Sequence, residues 1–183
     1  MILQARFPTL EIRTLADYAG APEPEETGQT YVENATIKAE SASAFTREWS
    51  LADDAGLEID ALDGAPGLYS KRFGGEDLPF PEKMARILEI LKGVPEEKRT
   101  ARFRCVVSLA SPSGQPTKNF EATCEGAISC EPSGRGGFGY DPIFFLPELG
   151  CTMADLTAEQ KHQISHRGKV LGAFGDYFES LRG

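Results

Sequence analysis

Leu51-Ala-Asp-Asp-Ala-Gly-Leu-Glu-Ile-Asp-Ala-Leu-Asp-Gly-Ala-Pro-Gly-Leu-Tyr-Ser-Lys-Arg-Phe-Gly-Gly75 is the stretch around which the chain is organised. An apolar pair, Leu51 and Ala52, runs into two adjacent acids, Asp53 and Asp54, and then into Gly56. This pattern predicts a strand that ends at a sheet edge, where a side chain can leave the core. Successive strand residues point to opposite faces. Asp53 and Asp54 therefore take different roles, one holding local backbone and the other facing a ligand or metal. Asp and Gly are also ordinary turn residues, so the expected layout is two short strands, Ser50 to Ala52 and Leu57 to Ile59, around an Asp53-Asp54 turn. Further on, Gly64, Pro66, Gly67, Gly74 and Gly75 are interspersed with Tyr69, Ser70, Lys71 and Arg72. Such a loop keeps backbone approachable and sets cations beside carboxylates, as a magnesium phosphate requires.

On the N-terminal side, Leu10 to Leu15 alternates apolar and polar residues and predicts a half-buried strand. Residues 1 to 6 read as the last turn or two of a helix. Ala21 to Gly28 is a loop by its prolines and glycine, and by spacing alone Glu25 and Glu26 are solvated acids. Thr30 and Glu33 are spaced as a capping box. The helix they open is expected to run to about Arg47, with Val32, Ala35, Ala39, Ala42 and Phe45 on its buried stripe. Asn34 and Lys38 share a neighbouring face, and without further context Lys38 is a solvated lysine.

On the C-terminal side, Pro79 to Leu91 predicts a helix with Met84, Ile87, Leu88 and Leu91 at core spacing. Ala101 to Ala110 and Thr117 to Ala127 predict two strands joined at Ser111-Pro-Ser-Gly114. Phe103, Cys105, Val107 and Leu109 form the alternating face, which makes Cys105 a small core residue rather than a nucleophile. Gly134, Gly136 and Gly139 match G-x-G-x-x-G formally, but Asp141-Pro142 follows where a dinucleotide fingerprint needs a helix. The glycines instead allow close backbone approach. Phe138 offers a flat face for a purine, or else anchors the loop together with Tyr140. Met153 to Lys161 reads as one short helical stretch. Ser165 reads as the N-cap of a final helix from about Arg167 to Leu181, carrying Val170, Leu171, Phe174, Tyr177 and Phe178. His162 and His166 are the only histidines, and Ile164-Ser165 between them argues against a two-His metal site. His166 and Arg167 at a helix start form a donor-rich spot suited to an anion or a carbonyl oxygen.

The chain has 183 residues, 19 Lys plus Arg against 28 Asp plus Glu, and a net charge of −9. One domain, 1–183, is the expectation for this length. The charge argues against non-specific binding to nucleic acid or anionic lipid. No window approaches the ~20 apolar residues that cross a membrane. Cys105, Cys124, Cys130 and Cys151 lack metal or redox spacing; free thiols and a cytoplasmic setting are expected.

The run Ala52 to Phe73 resembles the signature of the inosine triphosphate pyrophosphatase family. Three more blocks agree in order: Glu25-Glu26-Thr-Gly with Tyr31-Val-Glu-Asn-Ala-Thr-Ile-Lys-Ala39, then Gly136-Gly-Phe-Gly-Tyr-Asp-Pro-Ile-Phe144, then Ile164-Ser-His-Arg-Gly-Lys169. The resemblance covers nearly the whole chain. It implies an α/β fold with a mixed central sheet flanked by helices, two lobes with a cleft between them, and a homodimer. The implied reaction is hydrolysis of the non-standard purine nucleotides ITP, dITP and XTP to monophosphate and pyrophosphate. It further implies Mg2+ held by Glu25 (with Glu26 as the substitute) and Asp54, with Asp54 catalytic. Lys38 would contact the triphosphate. Phe138, Gly139, Tyr140 and Asp141 would line the base pocket, and Lys161, His166 and Arg167 would recognise the purine and its 6-oxo group. Ala55 stands near the substrate where many relatives have Ser.

One block of the resemblance is absent. Relatives begin with an apolar strand and a Thr/Ser-x-Asn-x-x-Lys-x-x-Glu phosphate loop, whereas this chain starts at Met1-Ile-Leu-Gln. The expectation is a truncated domain with a vacant strand slot beside Leu10 to Leu15. Beside the pyrophosphatase stand two rival classes: a purine-nucleotide-binding module with turnover lost or impaired for want of that loop, and a hydrolase of another metal-dependent class with different substrates, such as modified pyrimidine triphosphates.

Overall fold

Strand β1 (Ser50–Ile59) runs unbroken through the acidic pair. The computed structural model describes residues 2–181, so the expected start at Met1 lies outside the described residues. Helix α1 (Ile2–Arg6) and helix α2 (Tyr31–Thr46) precede β1, and β2 (Pro66–Gly67) and α3 (Phe80–Ile90) follow it. Then come β3 (Thr100–Ala110), β4 (Lys118–Ile128), β5 (Phe144–Leu146), β6 (Cys151–Thr152), α4 (Ala158–Ile164) and α5 (His166–Ser180). The strands form one six-stranded sheet in the order β2-β1-β3-β4-β5-β6. The β1–β2, β4–β5 and β5–β6 pairs are antiparallel, with Leu57 opposite Gly67 and Ala127 opposite Phe145. The expected α/β class, a central sheet flanked by helices, is borne out; a mixed sheet was expected, whereas these pairings are antiparallel.

The chain divides into two compact units. Unit 1 takes the chain up to Asp54, Cys105–Ala122, and the chain from Arg167 onward. Its buried apolar residues include Ala35, Ala39 and Ala42 of α2, Val106 and Val107 of β3, and Val170 and Phe174 of α5. Aromatic rings tie its ends together: Phe7 meets Phe178 edge-on at 5.1 Å, and Phe120 meets Phe174 at 5.8 Å. Unit 2 comprises Ala55–Arg104 and Thr123–His166. Its core joins Leu57 and Ile59 of β1, Met84 and Ile87 of α3, Phe103 of β3, and Phe144 and Met153. Helix α3 buries the expected Met84, Ile87 and Leu91, and Leu88 packs against that core.

Several expectations need correction. The acids of β1 do not form a turn, and the two short strands are one. Leu10 to Leu15 is not a strand, because its polar groups are satisfied locally. Gln4 Nε2 donates to the Leu10 carbonyl at 3.3 Å, Arg13 pairs with Glu11 at 2.6 Å, and Thr14 N–H donates to the Asp17 carboxylate at 2.7 Å. With no strand there, the expected slot beside it has no counterpart. Val32 and Phe45 are exposed at 36% and 42%, so of the expected stripe of α2 only Ala35, Ala39 and Ala42 are buried, beside Tyr31, Asn34 and Ser43. Thr30 caps α2 as expected, but the Glu33 carboxylate accepts from Gln29 N–H at 2.6 Å instead of completing the box. Strand β3 is buried on both faces over its second half, Ser108 included. The Met153 to Lys161 stretch is a 3-10 turn, Met153–Asp155, followed by α4, which Thr157 and Gln160 open as a complete capping box. Ser165 ends α4.

Candidate active site

In unit 1 the site is built on β1 and α2. Asp54 is buried on β1, and Lys38 of α2 reaches it with Nζ 2.9 Å from Oδ1. The same ammonium lies 3.0 Å from Glu26 Oε1, so it bridges two carboxylates. Asn34, one helical turn before Lys38, donates from Nδ2 to Asp54 Oδ2 at 3.4 Å. Its Oδ1 accepts the Gly28 N–H at 2.8 Å, fixing the loop that carries Glu26. A Cβ on Gly28 would lie 2.6 Å from that Oδ1, so the loop meets α2 closely because residue 28 has no side chain.

Asp53 points the other way, as alternation along a strand requires. It does not hold local backbone: its Oδ2 accepts from Arg167 Nη2 at 2.5 Å. Cys105 Sγ lies 3.9 Å from the same oxygen. Burial, then the Asp53 charge, push the Cys105 thiol up to about 12, which supports its reading as a core residue and not a nucleophile. All four cysteines are free, as expected.

The charges in unit 1 are coupled. Burial pushes the Asp54 carboxyl above its ordinary range, and the Glu26 charge adds to this. The hydrogen bond and charge of Lys38 only partly offset the push. Burial pulls the Lys38 ammonium down, but the hydrogen bonds and charges of Asp54 and Glu26 outweigh it and leave the group raised. A buried carboxyl made more basic is a stronger proton acceptor than an exposed one.

In unit 2 the glycine loop forms a second cluster. Asp141 is buried at 2% exposure, and its carboxylate accepts the Phe138 N–H at 2.6 Å. Lys161 of α4 forms an ion pair with the same carboxylate, and its Nζ lies 4.3 Å from the Phe138 ring centroid. Gly137, at φ 73°, makes room for that carboxylate, which a Cβ would strike. Phe138 is 57% exposed. Tyr140 is buried and donates its hydroxyl to the Ser70 carbonyl at 2.8 Å, and burial pushes its phenol up to about 12. His166 is buried and stacks on Phe103 at 4.9 Å with an interplanar angle of 29°.

Phe138, Gly139, Tyr140, Asp141 and Lys161 thus fall in one unit, with Tyr140 as an anchor. His166 belongs to that unit, whereas Arg167 belongs to unit 1 and engages Asp53. Ala55 is half-buried on β1. The two neighbouring loop acids resolve differently. Glu26 is brought to Lys38 beside Asp54, while Glu25 is exposed. The carboxylate brought beside Lys38 and Asp54 is thus that of Glu26, the substitute, and not that of Glu25, the first choice. Asn34 and Asp53 received no ligand-site role from the sequence. The helical spacing of Asn34 and Lys38 was the available signal for Asn34. Among the described residues no three His, Cys, Asp or Glu side chains cluster as a metal cage.

The Ham1 family model matches residues 1–177. The chain belongs to the Ham1 family. It is 49% identical over 174 residues to a dITP/XTP pyrophosphatase of Geobacillus kaustophilus, covering 95% of this chain and 85% of that protein. It is 50% identical to a dITP/XTP pyrophosphatase of Desulforamulus reducens, covering 88% and 80%. The structure of the Staphylococcus aureus Ham1 protein superposes with a TM-score of 0.90 at 38% identity, covering 98% of this chain and 92% of that one. A Ham1 match that begins at residue 1 gives no support to the expected loss of an N-terminal strand and phosphate loop.

Proposed function

We propose that this Ham1-family chain hydrolyses ITP, dITP and XTP to the monophosphate and pyrophosphate. The observation that carries the reading is Lys38 held between the carboxylates of Glu26 and Asp54, with Asp54 buried. The dITP/XTP pyrophosphatases at about half identity support the substrate class.

The donor set fits magnesium, which typically takes one or two carboxylates and completes its shell with water and substrate phosphates. Glu26 and Asp54 would hold it. When bound, the ion neutralises phosphate charge and stabilises the charge that develops in displacement. Asp54 orients a water and accepts its proton as the water oxygen bonds to the α-phosphorus. The bond from that phosphorus to the bridging oxygen breaks, and pyrophosphate leaves with the electron pair. Lys38 donates to phosphate oxygens that gain negative charge. Asn34 keeps Asp54 and the Gly28 loop in place.

For the base, Phe138 supplies a stacking face, and Lys161 stands over it as a donor. A fixed donor suits the 6-oxo group of hypoxanthine or xanthine and meets the 6-amino group of adenine donor to donor. A site built to hydrogen-bond its ligand rejects the analogue that cannot answer it. The family resemblance also assigns His166 and Arg167 to this recognition; His166 is buried against Phe103, and Arg167 is held by Asp53. The family resemblance supports a homodimer, which sedimentation velocity tests. The free cysteines support a cytoplasmic setting. No helix among the described residues is long and apolar enough to cross a membrane.

The test is pyrophosphate release from ITP, dITP, XTP, GTP, ATP and dUTP, with and without magnesium. Release is expected from the first three with magnesium present. Equal turnover of ATP, or a preference for dUTP, would overturn the substrate assignment.

A further inference from the structure

Helix α3 carries a lysine where its apolar face would call for a methionine or leucine. Lys83 is 2% exposed, among the most buried side chains of the chain. Its ammonium donates to the Lys71 carbonyl and lies 5.4 Å from the centroid of the Phe80 ring. No carboxylate pairs with it among the described residues. A buried charge is costly without a partner, and an apolar side chain of similar volume would pack there at lower cost. Packing alone therefore does not account for Lys83.

Its two contacts belong to a closed circuit within unit 2. Lys71 follows Ser70, whose carbonyl accepts the Tyr140 hydroxyl at 2.8 Å. Tyr140 meets Phe80 edge-on at 5.2 Å, and Phe80 lies 3.6 Å from where a Cβ of Gly139 would stand. Phe80 in turn lies beneath the Lys83 ammonium. Two consecutive carbonyls, Ser70 and Lys71, are thus fixed, one by the base-pocket loop and one by α3.

We propose that Lys83 is a positioning residue for purine recognition: through the Lys71 carbonyl and the Phe80 ring it sets the Phe138–Asp141 loop that receives the base. The proposal rests on the base-pocket reading above. Lys83 does not touch substrate, so its effect belongs to binding of the base and not to the phosphates.

The experiment measures inhibition of ITP hydrolysis by IMP, which carries the base, and by inorganic triphosphate, which lacks it. Lys83→Met, Lys83→Arg and Phe80→Leu are compared with the unmodified chain. Lys83→Met and Phe80→Leu should each weaken IMP inhibition about ten-fold, the scale of one hydrogen bond to a charge. Triphosphate inhibition should hold, and Lys83→Arg should restore most of the IMP affinity. A general loosening of the fold would move both inhibitors together, and that result overturns the proposal, as does unchanged IMP inhibition. Should Lys83→Met fail to fold, Phe80→Leu, at an exposed side chain, decides the question by the same two inhibitors. An unmodified chain that hydrolyses ITP without being inhibited by IMP overturns the proposal alone. One that does neither overturns the substrate reading beneath it.

Discussion

Asp53 and Asp54 are chain neighbours, yet each recruits a cation from a different helix, Arg167 from α5 and Lys38 from α2. Alternation made their opposite orientation legible in the sequence, but not the partners, which lie far along the chain. Removing the proton acceptor should be severe: Asp54→Asn is expected to lower kcat on ITP by about 10² to 10⁴. Glu26→Gln should raise the magnesium concentration needed for half-maximal rate, whereas Glu25→Gln should leave it near that of the unmodified chain. A magnesium requirement moved by Glu25→Gln instead would return the metal role to that residue. Nothing in the sequence separates two adjacent loop acids. The structure separates them: Glu26 lies beside Lys38, on the loop held by the Gly28 N–H bond to Asn34 Oδ1, while Glu25 is exposed.

Tyr140 gives a pH prediction at the same scale. Burial holds its phenol up at about 12, while an unfolded tyrosine ionises near ~10. A raised folded pKa gives stability that is complete below the unfolded value and lost as pH rises through the folded one. Tyr140→Phe should therefore cost about 1 kcal/mol near neutral pH, where the bond to the Ser70 carbonyl is intact. Its deficit should shrink between pH about 10 and about 12. Urea unfolding at stepped pH checks this, and a deficit that stays constant to the alkaline end would refute it.

Among the elements, α3, β3 and β4 were legible because their apolar periods are long and regular. Strand β1 was not: Asp is disfavoured in strands, and an acidic pair has the composition of a turn. The strand persists because its carboxylates find cations supplied by tertiary structure. The N-terminal segment erred in the opposite sense, since alternation over so few residues fits an extended segment equally well. In the glycine loop, the failure of the dinucleotide pattern was readable from Pro142. The reason for Gly137 was not, because it depends on the Asp141 carboxylate folding back to the Phe138 N–H. Gly137→Ala would strain a left-handed residue and strike that carboxylate, costs of order 1–3 kcal/mol each. The expected result is a KM for ITP raised about ten-fold or more with kcat little changed. A fall in kcat at unchanged KM would show that the loop serves the phosphates instead.

Across the whole molecule, a net charge of −9 coexists with cations at each functional cluster: Lys38 and Arg167 in unit 1, Lys83 and Lys161 in unit 2. Global charge therefore argued against nucleic acid without arguing against a phosphorylated small ligand. The expectation of one domain meets two compact units, and the chain path indicates how they should behave. Strand β1 gives Ser50 to Asp54 to unit 1 and Ala55 to Ile59 to unit 2. Strand β3 changes unit between Arg104 and Cys105, and β4 between Ala122 and Thr123. Neither unit can lose its share of these strands without ending three hydrogen-bonded runs in mid-course and leaving backbone groups unpaired. Unfolding should accordingly be a single transition. Trp49 is the only tryptophan and reports on unit 1, whereas far-UV circular dichroism reports on helices and strands of both units. Guanidinium curves followed by the two signals should superimpose with one midpoint. A Trp49 transition displaced from the dichroism curve, or a plateau between two steps, would mean that the units unfold separately and that the single-domain expectation fails.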